Sequence, residues 1–184
     1  MSAPEHPEPA AFAAFAAFAA HTAPTRDRPT SPPDSYGVPQ QGGTFVRWDH
    51  VVQRLAAAPA YWLATVTPRG LPHVVPIWGV LVAGSLYLET GAPDTVKNRN
   101  LAANPSVAVH LDGSDDVVLI RGVAVPVVPG LGVGEQLAAA FRSKYPGYEP
   151  EATSWAQGGL YRVDPVTVLA WGQMPTATRW RFRS

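Results

Sequence analysis

From Tyr61 onward the chain breaks into short apolar stretches, rich in β-branched and aromatic residues and separated by turn residues. Tyr61–Thr67 (YWLATVT) and Pro72–Val80 (PHVVPIWGV) read as strands, and Pro68-Arg69-Gly70 between them is hairpin chemistry. Ser85–Thr90 is a third strand after the Val82-Ala83-Gly84 turn. Ser106–Leu111 and Val117–Val128 flank an Asp112-Gly113 turn. Leu160–Val163, Val166–Gly172 and Thr178–Phe182 complete the strands. Helical spacing is confined to short segments. Trp48–Ala58 has Asp49 as N-cap, Pro59 as stop and Val51, Val52 and Leu55 on one face, which suits a lid on one barrel end. Asp94–Asn104 is capped by Asp94 and stopped at Asn104-Pro105. Gly134–Tyr145 turns Leu137, Ala138 and Phe141 inward, and Pro146–Gln157 is a loop. Many short strands with few helices predict a mainly β fold, an antiparallel barrel rather than repeated βαβ units.

Two strands carry breaks in their ladders. Pro72 and Pro76 have no N–H to give, so their strand lies partly at an edge or a bulge. Such a margin leaves backbone groups free to face a ligand, and a plain edge strand carries the same signature. Gly122 interrupts the Val117–Val128 strand and suggests a bulge or a close backbone approach.

Residues 1–43 differ from the rest and read as a disordered, low-complexity leader, with the folded domain spanning 44–184. Phe12, Phe15 and Phe18 recur in alanine, a helix-permissive repeat whose apolar stripe drifts around the axis; a frayed helix or a docking helix for a sister subunit both fit it. The acidic opening, Glu5 and Glu8, does not suit a signal peptide. A length of 184 residues predicts one domain with a tail. The formal net charge of +0 excludes the general basic excess of nucleic-acid binders. With Cys at 0, disulfides, thiol catalysis and cysteine-held metals are excluded. No apolar run is long enough to span a bilayer, so the expectation is a cytoplasmic protein without membrane or nucleic-acid partners.

Candidate chemistry gathers at the Asp94–Asn104 helix. Thr95 stands at its first turn and Lys97 two residues on, so a hydroxyl, an ammonium and free helical N–H groups can meet one oxyanion. Asn100 is three residues beyond Lys97 on the same face. Of 14 Lys+Arg residues only Lys97 and Lys144 are lysines, and a compact ammonium suits a phosphate. A solvated helix charge is the plainer fate of a lone lysine, and Asp94 would repel a phosphate unless its oxygens turn to the helix.

The run GAPDTVKNRNLAANP resembles the pyridoxamine 5′-phosphate oxidase-like family, whose members carry a Ser/Thr-x-Lys-x-x-Asn-Leu phosphate motif after the third strand. YWLATVTPRGLPHVVPIWGV is similar to that family's first hairpin in flavin- and deazaflavin-dependent oxidoreductases. The resemblance covers most of Trp48–Val128 and, more weakly, the last strands. It implies a split antiparallel β-barrel, a homodimer with cofactor sites at the subunit interface, and FMN or coenzyme F420 as cofactor. By position it assigns Thr95 and Lys97 to the phosphate, Thr90 to the ring-to-chain junction, and His73, Val74, Val75, Pro76, Ile77 and Trp78 to the ring. Val96 stands where many relatives have Arg, which removes one guanidinium from the grip.

Thr178–Arg183 alternates so that Arg179, Arg181 and Arg183 share one face, with Trp180 and Phe182 on the other. Such arginines could reach a phosphate or the acidic tail of F420, or shield a final edge strand. Together with the VVPIWGV hairpin they favour F420 over FMN. Trp78, Tyr148, Trp155, Trp171 and Trp180 are candidates for a flat apolar pocket and equally for core. Pro129–Gly134 fails the dinucleotide spacing because Glu135 stands where the third glycine belongs, and it reads as a flexible turn. His73 and His110 form no metal-spacing pair. No acid/base dyad or metal site stands out, so the expectation is an oxidoreductase whose cofactor moves a hydride to a small conjugated substrate. A flavin or haem carrier on the same barrel is the alternative.

Overall fold

The computed structural model describes residues 24–30, 37–39 and 42–182. The elements are β1 (Thr25–Asp27), α1 (Trp48–Ala57), β2 (Tyr61–Val66), β3 (Pro72–Val82), β4 (Ser85–Glu89), α2 (Val96–Ala103), β5 (Ser106–His110), β6 (Val117–Pro126), α3 (Leu131–Lys144), β7 (Leu160–Trp171) and β8 (Thr178–Arg181). Every strand pairing is antiparallel, in the order β1-β8-β7-β4-β3-β2-β5-β6, and an extra β6–β7 pairing closes β7-β4-β3-β2-β5-β6 into a barrel. Closure removes the open edges that an alternating sheet of this size would otherwise expose. The barrel is split at β7, whose first half pairs with β4 and whose second half pairs with β8.

One apolar cluster fills the barrel, with Leu63, Ile77, Leu88, Val109, Ile120 and Val168 among its members. Val51, Val52 and Leu55 bring α1 into that cluster, as the expected lid does. A second cluster lies outside, where Leu137, Ala138 and Phe141 of α3 cover Val80, Val82 and Tyr87. Among the described residues no helix is long and apolar enough to cross a membrane.

Several boundaries differ from the sequence expectation. Arg47 occupies the N-cap of α1 without a side-chain cap, and Asp49 lies inside the first turn, gripped by Arg47 at 2.6 Å. Thr95, not Asp94, caps α2: its hydroxyl accepts the Asn98 N–H at 3.4 Å, while Asp94 is exposed. α3 begins at Leu131, so the glycine-rich run is its first turn rather than a flexible loop. Gly134 belongs there because a Cβ would lie 2.3 Å from the Ala152 carbonyl oxygen. The two strands expected at Leu160–Val163 and Val166–Gly172 are one, β7. β7 carries an extra residue itself: Arg121↔Thr167 is followed by Gly122↔Pro165, so Val166 bulges opposite the Arg121–Gly122 step.

Part of the stretch expected as leader has regular structure. Thr25–Asp27 adds an outer strand to β8, and Arg179 holds Asp27 through two bonds of 2.8 Å. Arg28 fixes the next turn by donating to the Ala177 carbonyl at 2.9 Å and resting over the Phe45 ring at 4.1 Å. The phenylalanine repeat of the leader lies outside the described residues.

β2 stops pairing with β3 at Tyr61↔Ile77, which leaves the backbone of Gly79 unserved on that side. α3 serves it. The Tyr145 hydroxyl accepts the Gly79 N–H and donates to the Gly79 carbonyl, both at 2.9 Å. Lys144 Nζ donates to the same carbonyl and to the Tyr61 hydroxyl, also at 2.9 Å. A side chain at position 79 would meet the Tyr87 carbonyl and Leu88 at 2.7 Å, so glycine is required. Burial pushes the Lys144 ammonium down to about 8.

Two outcomes test this construction. Gly122→Ala places a Cβ 2.3 Å from the Asp164 carbonyl oxygen; we predict a loss of about 1–3 kcal/mol of stability, read by denaturant unfolding. An unchanged midpoint would show that β6 and β7 do not approach so closely. Because Lys144 binds its proton less tightly when folded, the unfolded chain holds more protons between about pH 8 and the ordinary lysine value of 10.5. Its contribution to stability therefore rises through that window. The difference in unfolding free energy between the parent and Lys144→Met should grow in the parent's favour over that range, and a flat difference refutes the buried charge.

Candidate functional site

The site begins where β3 loses a partner. β4 pairs with β3 only from Trp78↔Glu89 to Val82↔Ser85, while β2 pairs with Pro72 to Ile77. A tight turn at Ala83 and Gly84, both at positive φ, makes Val82 and Ser85 a hydrogen-bonded pair. Alternation then points the N–H and C=O groups of even-numbered β3 residues toward β4. From Pro72 to Pro76 no strand lies on that side among the described residues. The prolines fall at those outward positions, where their missing N–H breaks no bond, and Val74 keeps the one outward amide of the margin. The expected proline-bearing edge is present.

Past Glu89, β4 turns away, because Thr90 N–H and its hydroxyl both reach the Gly159 carbonyl, at 2.7 and 3.2 Å. The fork between β3 and the departing chain is a cleft of about 390 Å³. Its walls include Pro76, Ile77, Trp78, Glu89, Thr90 and Lys97. The Trp78 ring stacks on Tyr145 at 4.6 Å and 15°, with Tyr148 tilted beside it at 5.5 Å, yet 45% of Trp78 is exposed. A flat apolar surface is thus held rigidly at the cleft wall.

The first turn of α2 stands at the same cleft. Lys97 is half-buried and makes no hydrogen bond or ion pair among the described residues. The Val96 and Lys97 N–H groups have no internal acceptor among the described residues either. Asn98 donates to the carbonyls of Gly91 at 3.3 Å and Ala92 at 2.6 Å, which fixes the approach to the helix. Thr95 retains its hydroxyl proton for an acceptor, since its oxygen is the one engaged by the cap.

Other expected site residues are placed elsewhere. Asn100 turns inward, is 2% exposed, and donates to the Thr65 hydroxyl at 3.0 Å, so it anchors α2 to β2 rather than facing the cleft. His73, Val74 and Val75 lie farther along the same β3 margin and do not line the cleft, and Ile77 sends its side chain into the barrel cluster. Arg179 is committed to Asp27, and the guanidinium holds that carboxyl below the usual range. Trp180 is core, 5.1 Å from Trp48. Trp155 is buried against Phe141 at 5.5 Å. His110 stacks on Trp62 and bonds the Leu111 carbonyl at 2.9 Å through Nδ1. Among the described residues there is no cluster of metal-ligating side chains.

Glu89 was not among the expected residues. It faces Trp78 across the ladder and accepts a 2.5 Å hydrogen bond from the Tyr148 hydroxyl. Burial raises its carboxyl above the ordinary range, against the opposing pull of Tyr148 and Trp155. Its second oxygen, Oε2, is buried without a hydrogen-bond partner, and so is Trp155 Nε1: their approach favours the charge without completing a bond of good geometry. Burial, then Glu89 itself, pushes the Tyr148 hydroxyl well up. The sequence signal was a lone carboxylate on the Tyr87 face of an otherwise apolar strand.

The site can therefore hold a flat ring against Trp78, meet polar ring atoms with a β3 margin rich in carbonyl acceptors, and hold an anion at Lys97. Comparisons with known proteins bear on the fold. No curated protein matches the chain. Among solved structures, a conserved hypothetical protein from Mycobacterium tuberculosis aligns with a TM-score of 0.59 and 20% identity over 73% of this chain and 89% of that one. A FAD-binding protein from Mesorhizobium loti aligns at 0.53 and 19% over 74% and 96%. A heme binding protein from Mycobacterium smegmatis aligns at 0.53 and 19% over 74% and 59%. These likenesses establish a shared fold. The family model described as pyridoxamine 5′-phosphate oxidase matches residues 48–172, from the first residue of α1 to one residue past β7, and the chain belongs to that family.

Proposed function

We propose that this protein is an oxidoreductase that binds a phosphate-bearing flavin-type cofactor in the fork between β3 and β4, with coenzyme F420 favoured over FMN. The observation that carries this reading is the unpaired Lys97 ammonium at a cleft walled by Trp78 and the β3 margin. A buried or half-buried cation without an anionic partner is costly, and an anionic ligand offsets that cost. Lys97, the free N–H groups of Val96 and Lys97, and the Thr95 hydroxyl would bind the phosphate. Trp78 would carry the ring, and Pro76 and Ile77 would offer it backbone groups. When bound, such a cofactor supplies hydride transfer, and the substrate is a small conjugated molecule. Val96 in place of a second cation thins the phosphate grip, and Arg179 is spent on Asp27, so the tail arginines no longer favour F420. The resemblance of the VVPIWGV hairpin is what supports F420.

A second copy of the chain completes the site in this reading. Leu71, Val74 and Trp78 are exposed by 55%, 49% and 45% along one margin, and a homodimer would cover them.

Titration of the purified protein with F420 and with FMN tests the assignment. Lys97→Ala should weaken binding by about 1.5–3 kcal/mol, the worth of a charged hydrogen bond. Arg179→Ala should leave the affinity alone. Equal affinity of the parent and Lys97→Ala would sink the phosphate assignment, tight FMN with no F420 binding would reverse the choice of cofactor, and a Soret band in the purified protein would favour the haem carrier.

A further inference from the structure

The fork that makes the cleft leaves one backbone oxygen without a donor. Continuing the β3–β4 register past Trp78↔Glu89 would set Gly91 opposite Pro76 and fill the Pro76 carbonyl. Thr90 takes the chain to the Gly159 carbonyl instead, and no donor reaches the Pro76 carbonyl among the described residues. Residue 76, being proline, has no N–H of its own beside it. The next amide on that side within the cleft, that of Trp78, is spent on Glu89 in the ladder. Pro76 is exposed on the cleft wall beside Trp78. The Lys97 ammonium and the amides of Val96 and Lys97 are donors of α2, not of β3. At Pro76 the wall therefore presents an acceptor and no donor. We infer, on the cofactor reading above, that Pro76 determines which ring the cleft holds: it rejects a ring that sets a hydrogen-bond acceptor against it. A deazaflavin is then held over an oxidised flavin, and a reduced flavin over an oxidised one.

The two ring systems share a flat apolar face and an N–H between two ring carbonyls, so Trp78 does not tell them apart. They differ at position 5 of the central ring, where the oxidised flavin has a nitrogen that accepts and the deazaflavin has a C–H. Two-electron reduction puts a hydrogen on the flavin nitrogen, so the reduced flavin donates where the oxidised one accepts. An acceptor held against the Pro76 carbonyl loses water and gains no partner. A C–H at the same place loses nothing, and an N–H gains a bond. Proline is what enforces the choice. Even-numbered β3 positions turn both backbone groups toward the β4 side, so any other residue at 76 would set an amide in the cleft beside its carbonyl. That amide would serve the acceptor and erase the preference. Pro72 has the same chemistry but lies beyond the cleft wall.

FMN and 5-deaza-FMN, which differ only at that position, are the probes. The purified parent should bind 5-deaza-FMN about tenfold more tightly than oxidised FMN, or better, as one desolvated acceptor requires. FMN bound to the parent should have a midpoint potential above that of free FMN, by about 30 mV for each tenfold preference for the reduced form. Pro76→Ala restores the amide, so the affinity ratio should fall toward one and the potential toward that of free FMN. Pro72→Ala, the same change outside the cleft, should alter neither. The parent's own ratio and potential decide the matter even if Pro76→Ala does not fold. Equal binding of the two probes by the parent, an unraised potential, or a Pro76→Ala variant identical to the parent each overturns the role of Pro76 alone. Where the parent takes F420 and neither probe, Pro76→Ala should admit FMN without loss of F420, and continued exclusion overturns that role. Failure of the parent to bind FMN, 5-deaza-FMN or F420 overturns the cofactor reading and the role of Pro76 with it.

Discussion

β3 is 11 residues long, but no stretch of it has partners on both sides at once over its full length. β2 serves it up to Ile77 and β4 serves it from Trp78, so the two ladders meet end to end rather than side by side. Everything at the candidate site follows from that hand-over. Before it, the β4 side of the strand is open. After it, the β2 side would be open, had α3 not brought Tyr145 and Lys144 to Gly79. A buried amide without a partner costs on the order of 1–3 kcal/mol, which is why the second gap is filled. The first gap borders the cleft, and proline limits it to one outward N–H.

The filled gap shapes the open one. Tyr145 reaches the backbone of Gly79 with its hydroxyl, and its ring forms the bed on which Trp78 stacks. The loop that follows α3 adds Tyr148 and Trp155, which enclose Glu89 from the side opposite the cleft mouth. One helix thus does two jobs: it satisfies a strand's backbone and it fixes an aromatic wall with a carboxyl beside it. A change on α3 far from the cleft, at Gly134 or Leu137, would be felt at Glu89 through this packing.

The barrel was legible because period-two alternation and turn residues act locally. Each strand between Tyr61 and Arg181 is where its pattern placed it, give or take an end, except that the two expected over Leu160–Gly172 form the single strand β7. The proline pair announced the open margin, and Gly122 announced a close approach, while the bulge at that point lies across from it in β7. Capping was less legible. Asp94 sits next to Thr95, and which of the two caps depends on a backbone angle that residue type does not fix; Asp49 falls inside the first turn of α1, whose N-cap, Arg47, makes no side-chain cap. Alternation correctly divided the last strand into an arginine face and an aromatic face. It could not say what lies across from either: Asp27 comes from 152 residues earlier, and Trp48 from the start of α1. Glu89 was hidden for the same reason. Its burial depends on residues 148 and 155, brought over by a helix that intervenes in the chain.

The charges of the cleft are asymmetric, and that asymmetry sets an orientation. Lys97 offers a positive charge with free amides beside it, while Glu89 offers an acid whose charged form burial disfavours. Had both been ionised and in contact, each would have neutralised the other and no ligand would be needed. No ion pair joins them among the described residues, so the cation keeps its demand for an anion and the carboxyl keeps its tendency to hold a proton. A ligand with a phosphate and a flat ring satisfies the first demand at one end and covers Trp78 at the other. Binding energy gathered at Lys97 becomes positional accuracy for a ring lying on Trp78.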